Sequence, residues 1–281
     1  MTETRTYSDI EIFRVAEKLP SAPRLLVELG QLMRNKHLDS GDVVGLLRQD
    51  PPLVAQLIRM ANSAAYGAAE PVGSLEQALA FVGFAEVHRL VGVVANVQLS
   101  SQKMRLYPID GEKLRLNALF VAVLMEELAK WSGESPQSCY TVGLLRTIGM
   151  MALDRLAPLD AGVPPYLESG QPALDEWEQK YWGMTNAETA EKILLRWRLP
   201  KEAVAAIRYH CRPAGQPQPI VHLLSLAATA AAERLYTIPG EENYWKLTPE
   251  NFARAGFDPG NFQLACKKAQ RKYEQLQSAG S

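Results

Sequence analysis

The stretch QDPPLVAQLIRMANSAAYG, Gln49 to Gly67, carries the clearest statement of what this chain builds. Leu53, Val54, Leu57, Ile58 and Ala61 recur at the three- and four-residue spacing of one helix face. Asp50 stands at the N-cap, and Pro51 follows in the first turn, where a missing N–H breaks no helical hydrogen bond. Asn62 can close the far end, Gly67 admits the positive φ of a turn, and the small residues between them permit close helix packing. Asn62 and Tyr66 also offer polar groups to a partner, so the block reads as a packing motif or as an interaction motif.

The same periodicity extends in both directions. Ser74 followed by Gln77 makes a capping-box pattern before Leu75, Ala78, Leu79 and Val82, and Gly83 ends that short helix. Val87, Leu90, Val91 and Val94 mark the next one. The run LRLNALFVAVLMEEL, Leu114 to Leu128, is apolar on more than one face, as expected of a helix surrounded by others. Between Gln102 and Gly111 the residues Pro108, Asp110 and Gly111 interrupt the pattern and suggest a short joint. Pro158 to Pro172 reads as an ordered excursion rather than a helix. Two further helices are expected near the end, one capped by Thr248 and one beginning near Asn261, the second bearing Lys267, Lys268, Arg271 and Lys272 as a solvated basic face or as a contact for a polyanion or partner. No convincing run of alternating residues interrupts this series, so the expected fold class is all-α.

Composition agrees with a globular chain. With 281 residues, 47% of them hydrophobic, a sizeable core is available in one large domain or two lobes. Thirty basic and 31 acidic residues leave a net charge of −1, which provides no global field to draw the chain to nucleic acid or to an anionic membrane. No apolar run approaches the roughly 18 to 20 residues needed to cross a bilayer, and MTETRTYSDIEIF has no apolar signal core, so the expected location is cytoplasmic. Cys139, Cys211 and Cys266 are odd in number and widely spaced, which fits reduced thiols.

The run GLLRTIG, Gly143 to Gly149, resembles the centre of an HD-type phosphohydrolase helix whose metal-binding His-Asp pair is replaced by Arg146 and Thr147. LPSAP (Leu19 to Pro23), the Gln49–Gly67 block, SLEQALAFVGFAEVHRLV (Ser74 to Val91) and AETAEKILLRWRLPKEAVAAIRYH (Ala187 to His210) resemble, in this order, the blocks of the HDOD family. HDOD proteins are bacterial HD-related output domains. The resemblance covers roughly residues 19 to 236. It implies an N-terminal helical lobe at 7–109 packed on an HD-like helical bundle at 110–236, while residues 237–281, outside the resemblance, read from their own pattern as a C-terminal helical extension.

It also implies where a metal centre would lie. Asn117 falls at the position of the first histidine ligand, and Asn186 at that of a further histidine common in catalytic relatives. The distant aspartate should fall within Leu223 to Leu235, where Thr229 stands before Glu233. Arginine has a fixed positive charge and no lone pair, so Arg146 opposes a cation on both counts. His210-Cys211 sits where relatives often carry two histidines and can line the remnant cavity. Neither metal nor cofactor is expected, and no enzyme activity. His37, His88 and His222 show no ligand spacing with a carboxylate, and the GxSxG, GxxxxGK[ST] and GxGxxG patterns are absent. The adjacent pairs Glu126-Glu127 and Glu241-Glu242 read as exposed charge.

Two functions follow. The first, which the resemblance implies, is a non-catalytic signalling or regulatory module acting on an unidentified protein partner. The second is a nucleotide or phosphate sensor in which Asn117, Arg146, Thr147, Asn186 and His210 line the remnant cavity. Arg146 discriminates between them, since a buried guanidinium needs either an internal acid or an anionic ligand.

Overall fold

The computed structural model describes the chain apart from residues 1–6, 102, 158–161, 167–172, 236, 243, 245, 246 and 281, and the side chains of 279 and 280. Among the described residues it is all-α, with fifteen helices and no strand. In chain order these are α1 (Asp9–Glu17), α2 (Ser21–Leu32), α3 (Ser40–Leu47), α4 (Pro51–Ala61), α5 (Leu75–Val82), α6 (Phe84–Ser100), α7 (Gly111–Ser132) and α8 (Pro136–Leu145). They continue as α9 (Ile148–Leu156), α10 (Leu174–Trp182), α11 (Asn186–Arg196), α12 (Lys201–Tyr209), α13 (Pro219–Arg234), α14 (Pro249–Ala255) and α15 (Pro259–Gly280).

Short polar side chains set several of the helix starts. Asp50 Oδ1 accepts from the Leu53 amide at 2.9 Å, Asp110 Oδ1 from the Glu112 amide at 2.8 Å, and Thr248 Oγ1 from the Asn251 amide at 3.2 Å. At α5, Ser74 Oγ accepts from the Gln77 amide at 3.2 Å, while Gln77 Oε1 reaches the Gly73 amide instead of that of Ser74. Gly83 then takes φ 82°, which turns the chain through 118° between α5 and α6. That positive φ is why the helix stops there.

Helix α7 is the axis of the molecule. It packs against α6, α8, α13 and α15, and from Asn117 to Ala129 every residue is buried. One hydrophobic core runs from Tyr7 to Leu276, and each Leu, Val or Phe fully buried in it contributes about 1.5–3 kcal/mol relative to exposure. No single helix among the described residues is long and apolar enough to cross a membrane.

The GLLRTIG run is not one helix. Helix α8 ends at Leu145, Arg146 is its C-cap, and α9 begins at Ile148. The flanking glycines give the reason. A Cβ on Gly143 would lie 2.7 Å from Ala122 Cα on α7, and one on Gly149 would lie 1.8 Å from the Asn186 carbonyl oxygen at the start of α11. The two halves are held against different helices, and the chain bends between those contacts.

Residues 103–110 form a non-helical link fastened to α9, since Asp154 Oδ1 accepts from the Arg105 and Leu106 amides at 2.8 and 2.7 Å. Of the expected excursion from 158 to 172, residues 158–161 and 167–172 lie outside the described residues. The part between them is non-helical, and the Tyr166 amide donates to the Leu106 carbonyl at 2.7 Å.

The acidic pairs correct the expectation of exposed charge: Glu126, Glu127 and Glu241 are buried. Helix α15 lies along α7 and covers the first two, bringing Lys272 Nζ to 3.0 Å from Glu126 and 3.6 Å from Glu127. Arg89 Nε donates to both Glu126 oxygens at 2.8 and 2.9 Å, and Arg89 also pairs with Glu86. Lys272 therefore leaves the solvated face expected of the basic cluster, whereas Lys267, Lys268 and Arg271 are exposed.

Gly149→Ala is expected to destabilise the protein by at least about 1–3 kcal/mol, the usual range for overpacking, because the obstructing atom is backbone. Urea denaturation monitored by circular dichroism checks this; an unchanged midpoint contradicts the close α9–α11 approach.

Candidate functional site

The residues expected around the remnant centre come from separate elements. Asn117 lies on α7, Arg146 caps α8, Thr147 precedes α9, Asn186 opens α11 and His210 caps α12. The structure brings three of them together. Arg146 is only 2% exposed, and its Nη2 donates to Asn117 Oδ1 at 2.8 Å. Its Nη1 lies 3.2 and 3.1 Å from the two carboxylate oxygens of Glu241 and 3.5 Å from His210 Nε2.

Glu241 follows α13 and had no sequence signal. It stands 95 residues from Arg146, beyond the blocks of family resemblance, next to an acid that looks equivalent. Burial pushes its carboxyl pKa up, and the Arg146 charge and hydrogen bonds oppose that rise. An internal acid thus meets the guanidinium, which is one of the two arrangements a buried arginine requires.

The geometry fixes the His210 tautomer. Nδ1 lies 2.9 Å from the Ile207 carbonyl and carries the proton toward it, leaving Nε2 as acceptor toward Arg146. Burial, reinforced by the nearby Arg146 charge, lowers the His210 pKa to about 3.

Asn186 is committed elsewhere. Its side-chain amide donates to both oxygens of Glu178 at 3.0 Å, and its backbone amide donates at 2.7 Å. Tyr107 Oη also donates to Glu178 at 2.7 Å. Burial raises the Glu178 pKa to about 8 despite these bonds. The position was readable, since Leu174, Trp177, Glu178 and Trp182 share the buried face of α10.

Thr147 is buried at the α8–α9 break. Thr229 Oγ1 donates back to the Ser225 carbonyl at 2.8 Å within α13, and Glu233, the one carboxylate of the stretch from Leu223 to Leu235, is exposed. Of the other histidines, His37 is exposed, His222 Nε2 lies 2.8 Å from the Gln216 carbonyl, and His88 is buried with Nε2 3.3 Å from Thr141 Oγ1. Burial lowers the His88 pKa to about 4. The Cys139 thiol is pushed up by burial, which removes thiolate character.

In the Gln49–Gly67 block, Asn62 clamps a loop: Nδ2 donates to the Ile58 and Val72 carbonyls at 2.9 and 2.8 Å, and Oδ1 accepts from the Val72 amide at 2.8 Å. Gly67 takes φ 60°. Tyr66 Oη donates to Glu86 at 2.6 Å, joining the Arg89–Glu126 network. Its pKa is raised to about 12, chiefly by burial.

His210, Cys211 and Glu241 place candidate ligand atoms within 4.8 Å of one another. The donor set nevertheless does not fit the metal centre of HD phosphohydrolases. Arg146 puts a permanent cation within hydrogen-bond distance of Glu241, with the acceptor nitrogen of His210 beside it, and Asn117 gives its amide oxygen to the same guanidinium. Two cavities touch this cluster. One of about 190 Å³ is lined by Asn186, Cys211, Arg212 and Glu241, and one of about 210 Å³ by Asp110, Lys113 and Asn117.

Fold and site define an HD-like helical protein with an arginine-centred cluster in its interior. The chain belongs to the HDOD domain family, whose model matches residues 19–213. The structure is similar to that of a Marinobacter aquaeolei VT8 chain named as a signal-transduction protein, with TM-score 0.73 and 24% identity, covering 99% of this chain and 62% of that one. It is similar to an HDOD domain protein of unknown function from Geobacter sulfurreducens, with TM-score 0.70 and 20% identity, covering 95% and 96%. It is also similar to a Shewanella amazonensis SB2B chain named as a phosphohydrolase, with TM-score 0.68 and 23% identity, covering 96% and 97%. At these identities the likeness is one of fold. In sequence, an uncharacterized Treponema pallidum (strain Nichols) protein is 24% identical over 228 residues, and the match spans 76% of this chain and 42% of that protein.

Arg146→Ala and Glu241→Ala are each expected to cost about 3–5 kcal/mol, because each leaves a buried charge without its partner. The double variant Arg146→Met, Glu241→Leu should recover most of that loss in denaturant titrations; three equal losses would contradict the pairing.

A second expectation concerns acid. His88 and His210 are neutral in the fold, with values near 4 and 3, against about 6.5 when unfolded. As pH falls from 6.5 toward 4, the unfolded chain takes up protons that the fold refuses, so stability present above 6.5 is lost through that window. His88→Asn should flatten part of the stability–pH curve between these limits, and an unaltered slope would refute the role of His88.

Proposed function

We propose that this chain is a non-catalytic regulatory module of bacterial signalling, acting through protein contact on an HD-like scaffold. In this reading a lobe at 7–109 packs on a bundle at 110–236, and residues 237–281 complete the bundle from outside. The observation that carries the reading is the buried Arg146–Glu241 contact at 3.1 Å, with Asn117 bound to the same guanidinium. Hydrolysis on an HD scaffold needs a metal to hold and activate water, and this cluster offers a cation where that metal would need donors.

The family assignment and the signal-transduction name of a chain of like fold support the regulatory reading. The phosphohydrolase name of another points the other way. The residues of this chain favour the first, since Arg146 and Thr147 stand in the place of the His-Asp pair. A sensor built on the remnant cavity is less favoured, because Glu241 already meets the arginine fork that an anion would use.

The test combines elemental analysis with hydrolysis assays. Purified protein is expected to hold no stoichiometric transition metal and to leave cyclic dinucleotides and nucleoside phosphates intact with manganese, iron or magnesium added. One equivalent of bound metal per chain, removable with loss of a hydrolytic activity, would overturn the proposal.

A further inference from the structure

Helix α11 ends in a way that departs from the rest of the chain. The Arg198 amide donates to the Leu195 carbonyl at 3.0 Å, and the Leu199 amide donates to the Leu194 carbonyl at 2.9 Å. This is a Schellman closure, whose left-handed residue is by preference glycine. Here it is Arg198, with φ 61°, and every other positive-φ residue among those described is glycine. The backbone is held there from α2: Gln31 Nε2 donates to the Arg198 carbonyl at 2.8 Å and to the Trp197 carbonyl at 3.3 Å. A side chain retained in a conformation that glycine would adopt without strain calls for a use of that side chain.

Arg198 lines a cavity of about 500 Å³ between α1, α2 and the end of α11, shared with Phe13, Arg24, Gln31, Arg196 and Trp197. This is within the range of small-ligand sites. Arg24 is paired with Glu28 at 2.8 Å. Arg196 and Arg198 are exposed and have no salt-bridge partner among the described residues; Arg196 lies over the Phe13 ring at 5.6 Å. Phe13 and Trp197 are half-buried against the core, which gives the cavity two aromatic walls. Glu17, on the same lining, supplies a carboxylate acceptor.

From this arrangement we propose that the α1–α2–α11 cavity binds a nucleoside phosphate. Arg198, with Arg196 held over the Phe13 ring beside it, meets the phosphate through charge-assisted hydrogen bonds, the Trp197 ring takes the base, and Glu17 accepts from a hydroxyl or amino group of the ligand. An acidic peptide would want cations distributed along an extended groove, whereas Arg196 and Arg198, neither in a salt bridge among the described residues, both come from one helix end. The site is separate from the Arg146 cluster, and the inference does not depend on whether that cluster is catalytic.

The test is isothermal titration calorimetry of the full chain with ATP, GTP and their monophosphates at about 0.15 M salt, where non-specific charge attraction is screened. At least one is expected to bind saturably with a micromolar Kd. Arg198→Gly should weaken that binding about tenfold or more, while its Tm equals or exceeds that of the wild type because the turn is relieved. Arg196→Gln should weaken binding in the same direction. Binding absent for all four nucleotides, or unchanged in Arg198→Gly, would overturn the proposal. So would inorganic phosphate or ribose 5-phosphate binding as tightly as the best nucleotide, since the base would then make no contribution. Arg198-dependent binding of a polyglutamate peptide with no nucleotide binding would assign the cavity to a protein partner instead. A Tm of Arg198→Gly below that of the wild type would refute the premise that the side chain is kept against the preference of the backbone.

Discussion

The contact between Arg146 and Glu241 is the constraint on which the interior arrangement depends. A guanidinium that is 2% exposed cannot be hydrated, so its charge and its planar donors must be met by protein. Asn117 meets one end from α7 and Glu241 meets the other from the segment after α13. His210, at the end of α12, keeps its acceptor nitrogen turned to the same fork because its other nitrogen is held by Ile207. Four parts of the chain that share no local sequence are thereby fixed around one side chain. In a metal centre a cation performs this convergence on lone pairs; here a covalently attached cation does so, and it brings no open coordination position for water.

A second buried ionic group acts on the other side of α7. Glu126 is held by Arg89 from α6 and by Lys272 from α15, and Tyr66 joins through Glu86. The chain places polar or charged groups at both interfaces of its central helix although the stretch from Ala118 to Met125 between them is wholly apolar. Apolar contact alone tolerates sliding, whereas a partly buried ion pair is satisfied in one register. This second group accounts for how α15, which lies outside the family match at 19–213, is seated on α7.

Much of the fold was legible because helix ends are local events. Asp50, Ser74, Asp110 and Thr248 cap helices through side chains two or three residues from their targets, and Gly83 ends α5 through its own φ. The break inside GLLRTIG was not legible, because its cause is the approach of Gly143 to α7 and of Gly149 to the start of α11. For the same reason Glu126, Glu127 and Glu241 looked like solvent-facing charge. What decides their burial is a helix or loop arriving from far along the chain, and adjacent glutamates carry no mark of it. Glu178 is the intermediate case, since the apolar spacing of Leu174, Trp177 and Trp182 already put it on a buried face. The positions of Asn117 and Arg146 came from family resemblance, while their shared acid could only come from three dimensions.

These distinctions separate chemistry that is already satisfied from chemistry that is still available. In the interior, Arg146 is met by Glu241 and Asn117, and Asn186 is bound to Glu178; a ligand entering there would have to replace an existing partner for each one it engaged. At the end of α11 the situation is reversed. The backbone of Trp197 and Arg198 is fixed by Gln31, while the guanidinium of Arg198 projects at an open cavity with no counter-charge assigned to it among the described residues. A fixed backbone presenting a cation without a salt-bridge partner has no existing ion pair to give up on binding, whereas the buried Arg146–Glu241 pair must first be broken. An incoming anion therefore displaces fewer existing partners at the surface between α1, α2 and α11 than at the Arg146 cluster.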